Sequence, residues 1–247
     1  MKKLFTLVVI AVALFASSQL FGQTNVYLNL SGVVPTGDFA DGDEDGWGLI
    51  TEDKEGGAGF GLNVGMKFNI ATGVNGLRAM ITMDAIYNGL NSELRDLFED
   101  EVDDAEDAYK DYSLKTPKHI NVPIMGGVNY TYNFNDKLGL FAEAGVGADF
   151  HLITKMEEYI ETSSYKRTST IEYDPQISMA YMFGAGVELS KRVTVGIDYY
   201  NLGKAKVKGE ESYKVKYTDG GSNSDSDKFS LKRINPTMVM LRVGFKL

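Results

Sequence analysis

The chain has 247 residues, 43% of them hydrophobic and 24% charged, which suits one all-β domain of ordinary size. Its formal net charge of -9 argues against nucleic acid as a partner. The absence of cysteine excludes disulfides, thiolate metal sites, cysteine nucleophiles and the processing that makes a lipoprotein.

In chain order, residues 1–22 read as a secretory signal. Lys2 and Lys3 precede an apolar run over 4–16, and small and polar residues follow around 17–23. The run is too short for a spanning helix. Residues 23–247 are then the exported domain. Within them, period-two counting predicts strands at 25–34, 59–70, 77–89, 119–134, 138–153, 176–190, 193–202 and 236–247. Side chains of a strand alternate between its two faces. In the second segment Phe60, Leu62, Val64, Met66, Phe68 and Ile70 share one face, and Gly61, Asn63, Gly65, Lys67 and Asn69 the other. The last segment sets Val239, Leu241, Val243, Phe245 and Leu247 against Met238, Met240, Arg242, Gly244 and Lys246.

The connections alternate in length. Those at 71–76, 135–137 and 191–192 are short, whereas 90–118 and 203–235 are long. Bacterial outer-membrane barrels sort their connections this way, with short periplasmic turns, longer extracellular loops and both termini in the periplasm. A soluble sandwich has no reason to do so. The expected fold is an all-β, eight-stranded, antiparallel up-and-down transmembrane β-barrel. Its apolar faces meet outer-membrane lipid, and Lys67, Arg78, Asp84, Glu143, Asp149, Glu188, Asp198, Arg242 and Lys246 point inward. An eight-stranded barrel is only wide enough inside to be filled by side chains, and buried charges are tolerated when paired. Five acids against four bases therefore predict a lumen closed by ion pairs.

Three stretches carry a family resemblance: the opening strand running into Pro35, Thr36, Gly37, Asp38 and Phe39; Ile120, Asn121, Val122, Pro123 and Ile124 leading into Tyr130, Thr131 and Tyr132; and the closing strand from Val239. In these the chain resembles the OmpA/OmpX-like eight-stranded outer-membrane β-barrel family, in the form of the porin-family proteins of Bacteroidetes. The resemblance implies a fold and no particular chemistry. It also implies recognition of the last strand by the barrel-insertion machinery. That strand ends in Leu247, with Phe245 on the same face, where such strands often end in Phe.

The long connections hold the remaining motifs. Asp41, Asp43 and Asp45, Gly46, and then Glu52 have the spacing of a calcium loop, in which oxygens at the first, third, fifth and twelfth positions surround the ion and a glycine at the sixth permits the turn. A solvated acidic loop is the simpler alternative, because the segment joins strands and Gly48 stands where an apolar residue is usual. Between Glu93 and Asp111 ten acids face only Arg95 and Lys110, yet Leu94, Leu97, Phe98, Val102 and Ala105 keep helical spacing. A short acidic amphipathic helix capped by Ser92 is expected there, packed on the barrel rim. Residues 204–233 are basic by comparison, with eight bases and five acids, and the acidic connection is expected to lean toward them. His119 and His151 lack a neighbouring metal-ligand pattern, and Ser163, Ser164 and Ser178 are only formal partners for them, so structural histidines are the expectation. Tyr130, Tyr132, Phe134, Phe68, Tyr199 and Trp47 fall near strand ends, as an interfacial girdle would.

The reading is a small, closed, monomeric outer-membrane barrel with a structural or surface-interaction role, without enzymatic activity, whose loops can meet an extracellular protein partner. The alternatives are a narrow pore for ions or small solutes and an enzyme that modifies lipid A.

Overall fold

A computed structural model of the chain describes residues 24–40 and 57–247. Alternation of β-branched, aromatic and small residues gives eight long strands: β1 (Thr24–Thr36), β2 (Ala58–Ala71), β3 (Leu77–Leu90), β5 (His119–Asn133), β6 (Leu138–Ile153), β9 (Gln176–Leu189), β10 (Val193–Asn201) and β13 (Thr237–Lys246). They close antiparallel into a barrel of order β1-β13-β10-β9-β6-β5-β3-β2. Closure is made by the first and last strands, in register from Tyr27 opposite Lys246 to Thr36 opposite Thr237. At one end, the base, the strands are joined by tight turns. One of these is built on Ser190 and Lys191, both at positive φ (49° and 56°), with Arg192 N–H donating to the Leu189 carbonyl. Positive φ at both central positions is the turn geometry whose twist matches a hairpin.

The pleat sorts side chains as expected from the sequence. Exposed apolar side chains stand on all eight strands, among them Leu30, Leu62, Ile81, Val128, Leu140, Met179, Ile197 and Leu241. Phe68 departs from the pattern, being covered at the barrel wall and not displayed on it.

The long connections differ more from expectation. Two of them, 154–175 and 202–236, are largely strands, and a third, 91–118, adds one short strand after a helix. β4 (Asp111–Lys115), β7 (Met156–Glu161), β8 (Tyr165–Tyr173), β11 (Ala205–Tyr217) and β12 (Ser222–Ile234) form a second sheet of order β12-β11-β8-β7-β4. The five neighbours beneath them in the barrel are β13, β10, β9, β6 and β5, so this sheet is an upward continuation of one side of the wall. Pro117, Pro175 and Pro236 lie in the breaks between upper and lower segments of three of these strands. A fourth break holds Gly203 at φ +75°, where a Cβ would lie 2.0 Å from the Met179 carbonyl oxygen. Proline lacks the N–H that a ladder needs, and glycine accepts the left-handed backbone, so one level of the wall is made unable to continue as a single sheet.

The expected helix is α1 (Ser92–Ala108). Its cap is Asn91, whose side chain accepts from Leu94 N–H at 2.8 Å, one residue before the Ser92 suggested by the sequence. Leu94 and Phe98 pack into the main core with Phe39, Met156, Leu202, Val207 and Ile234. This apolar layer lies over the mouth of the barrel. Further along, Val102 and Ala105 pack on Tyr112 and Ile160 of the upper sheet.

Candidate functional site

The lumen beneath that apolar cap is polar and crowded. At its middle, the Glu143 carboxylate accepts from Lys67 Nζ at 2.9 Å, Asn129 Nδ2 at 2.8 Å and Arg242 Nη2 at 2.5 Å. Arg242 also lies 3.2 Å from Asp198, a contact of opposite charges without hydrogen-bond alignment. Lys67 and Arg242 are 1% and 2% exposed, so both charges are taken out of bulk water. Lys67 Nζ sits 5.1 Å from the Phe141 ring centroid, and Arg242 sits 5.6 Å from it. One ring therefore lies beside both cations and favours both.

Asp84 is held differently. It accepts from Asn63 Nδ2 at 3.0 Å and from the Tyr200 hydroxyl at 3.1 Å. Toward the base, Glu188 accepts from the Tyr27 hydroxyl at 3.2 Å, and Arg78 lies beside that same hydroxyl. Met80, Met125, Met182, Met238 and Met240 fill the space between these groups. Small inward residues make room for the acids. A Cβ on Gly184 would lie 2.0 Å from Asp198 Oδ1, and one on Gly65 1.9 Å from Asp84 Oδ1.

Two of the residues expected in the charge network stand outside it. Lys246 is exposed, because it is the last residue of β13 and extends past the base of the wall. Asp149 is fully buried, but among the described residues no basic side chain pairs with it and no side chain donates to its oxygens. It belongs to an upper layer with Asn88, Asn121, His119 and His151, all buried. His119 Nδ1 and His151 Nε2 are 3.1 Å apart, and the edge of Phe39 closes on His119 with ring centroids 5.1 Å apart. His151 Nδ1, both side-chain polar atoms of Asn121 and Asn88 Oδ1 have no hydrogen-bond partner among the described residues. Such atoms are ordinarily satisfied by bound water.

The serines considered as partners of the histidines are placed elsewhere. The Ser178 hydroxyl donates to the Leu202 carbonyl, and Ser163 and Ser164 lie in the turn between β7 and β8, at the far tip of the upper sheet. Among the described residues no group of three or more His, Asp or Glu side chains is arranged to hold a metal ion. Asp41, Asp43, Asp45 and Glu52, and with them Trp47, lie outside the described residues, as does the segment 1–22.

Sequence reasoning placed the charges of the lumen, with Asn63 and Asn69 on the face of Lys67, and missed other uncharged members. Tyr27, Asn129 and Tyr200 were legible in principle, since each shares the strand parity of an inward charge or of its ladder partner. What parity could not reveal is which of them touch.

No protein-family model matches the chain, and no curated protein matches it. It is similar to several solved structures. One is a major outer membrane protein from Thermus thermophilus, at 10% identity over 91% of this chain and 99% of that one, with a TM-score of 0.45. Another is the outer membrane protein OprG from Pseudomonas aeruginosa, at 11% identity over 91% and 95%, with a TM-score of 0.42. A third is the attachment invasion locus protein Ail of Yersinia pestis, in complex with the heparin analogue sucrose octasulfate, at 9% identity over 91% and 97%, with a TM-score of 0.37.

Proposed function

We propose that the chain is an integral outer-membrane barrel whose lumen is sealed and whose work is done by the structure standing above its mouth. The observation that carries this reading is an inversion of polarity. Apolar side chains such as Val146, 64% exposed, and Met179, 82% exposed, ring the outside, while lysine, arginine and carboxylates are buried within. Large contiguous apolar surface is rare on soluble proteins, and a closed barrel is one of the few ways a chain can satisfy its backbone in lipid. The tight turns at the base and the tall sheet at the mouth support periplasmic termini and an extracellular upper sheet. Residues 1–22 then act as the export signal, β13 is the strand offered to the insertion machinery, and the barrel is a monomer.

Membrane fractionation of cells expressing the full chain tests the placement, with recovery expected in the outer membrane. Protease added to intact cells should cut the exposed turn at 218–221 and spare the turn at 190–192. Recovery in the soluble periplasm overturns the reading.

A second reading, a narrow pore for ions or small solutes, is favoured by the buried polar atoms of Asn121 and His151 that find no partner among the described residues, which call for water inside the upper lumen. Planar-bilayer recording separates the two. A sealed barrel gives no steady current, and a steady wild-type conductance replaces it with the pore.

A further inference from the structure

Above the mouth, α1 covers only part of the upper sheet. Between the C-terminal end of the helix and the sheet lies a cavity of about 650 Å³, within the usual size range of small-molecule sites. Its floor includes the buried side chains of Met156 and Ile160. One wall is the Tyr109 ring stacked on Tyr112, with centroids 6.1 Å apart and planes at 21°. Arg167, Glu158 and Glu211 also line it.

These three charges make no ion pair among the described residues. Arg167 and Glu158 occupy diagonal positions on β8 and β7, yet Arg167 Nε donates to Ser169 Oγ at 3.1 Å. On the opposite face of β7 the behaviour is different. Glu157 contacts both Lys115 and Lys155, and Glu161 contacts both Lys110 and Lys166. The same strands thus pair their acids on one face and leave charges of both signs unpaired around the cavity.

The lining selects a chemistry. A pure hydrocarbon would strip water from three charges and give nothing back. A small anion would face two carboxylates, and a small cation would face Arg167. A ligand with a flat apolar face, hydroxyls that donate to Glu158 and Glu211, and oxygens that accept from Arg167 satisfies every group. We infer that this cavity binds a neutral saccharide, with the C–H face of a sugar ring against Tyr109 and its hydroxyls shared between Arg167 and the two glutamates. This goes beyond the barrel assignment and stands on the cavity alone.

The test uses the full chain refolded in detergent and an array of immobilised neutral oligosaccharides. Heat-modifiable gel migration of each sample reports whether the barrel is folded. The folded wild type should bind at least one saccharide. Tyr109→Ala and Glu211→Gln should each weaken that binding about tenfold or more, while Lys214→Ala, on the opposite face, leaves it unchanged. A folded wild type that binds no saccharide on the array overturns the inference. So does binding to which both cavity variants are indifferent. Because folding is scored in the same samples, loss of this site is distinguishable from failure of the barrel itself.

Discussion

Lumen and upper sheet use the same ionic unit in opposite surroundings. In the lumen, Glu143 is held by Lys67 and Arg242, with all three side chains at most 2% exposed. In the sheet, Glu157 is held by Lys115 and Lys155, whose side chains are 67% and 52% exposed. The first unit cannot lose a member without stranding a charge in a dry interior, whereas water replaces any partner lost from the second. The difference teaches that an ion pair's contribution is set by what remains when it is broken, more than by its length.

The strongest way to sharpen this contrast is to remove the acid from each unit. Glu143→Ala leaves Lys67 and Arg242 buried together and should cost about 3–5 kcal/mol of barrel stability, read as a lowered denaturant midpoint for the heat-modifiable band. Glu157→Ala should cost less than about 1 kcal/mol in the same assay. Equal losses would break the comparison.

Next in size is charge placed on the outside. Val146→Arg should cost about 2–4 kcal/mol in a bilayer if that face meets lipid. A neutral outcome would mean that the exposed apolar ring faces water.

A smaller effect is expected from overfilling the lumen. Gly184→Ala puts a methyl group 2.0 Å from Asp198 Oδ1 and should cost about 1–3 kcal/mol as the carboxylate is displaced from Arg242. Unchanged stability would show that the lumen has slack which the crowding around Asp198 denies.

The smallest effect concerns pH in the upper sheet. Hydrogen bonds from Lys155 and then Lys115 hold Glu157 down at about 2, and those from Lys166 and Tyr159 do the same for Glu161. A carboxylate depressed on folding contributes stability that is complete above its unfolded value, about 4.5, and is lost as pH falls through its folded value. The sheet should therefore be indifferent to pH between about 7 and 5, and these contacts should fade only between about 4.5 and 2. Carboxyl-carbon NMR of the two glutamates checks this, and titration of either near its ordinary value would contradict the paired geometry.

Much of the barrel was legible because a strand's side-chain period is fixed. Alternation at 59–70 and 138–153 gave bounds that agree with β2 and β6 to within a residue or so, and the parity of Glu143, Asp198 and Arg242 placed them inside. The upper sheet was only partly legible. Residues 222–234 are polar on both faces over most of their length and leave little hydrophobic period to read, whereas 205–217 do alternate, with Ala205, Val207, Tyr213, Val215 and Tyr217 on one face, a signal passed over because the segment was read as a loop. Their strands exist because the barrel beneath delivers neighbouring chains side by side, ready to continue the ladder past each break.

The sequence by itself determined the number of membrane-length strands, their inward and outward faces, and the acidic helix. These follow from local geometry, which acts over a few residues. Only the tertiary structure decided that Glu143 gathers Lys67 and Arg242, that Asp149 and Lys246 stay outside the network, and that α1 leaves a charged cavity on the upper sheet. Each depends on register and closure between strands far apart in the chain, and a shift of one residue in any ladder would exchange the partners.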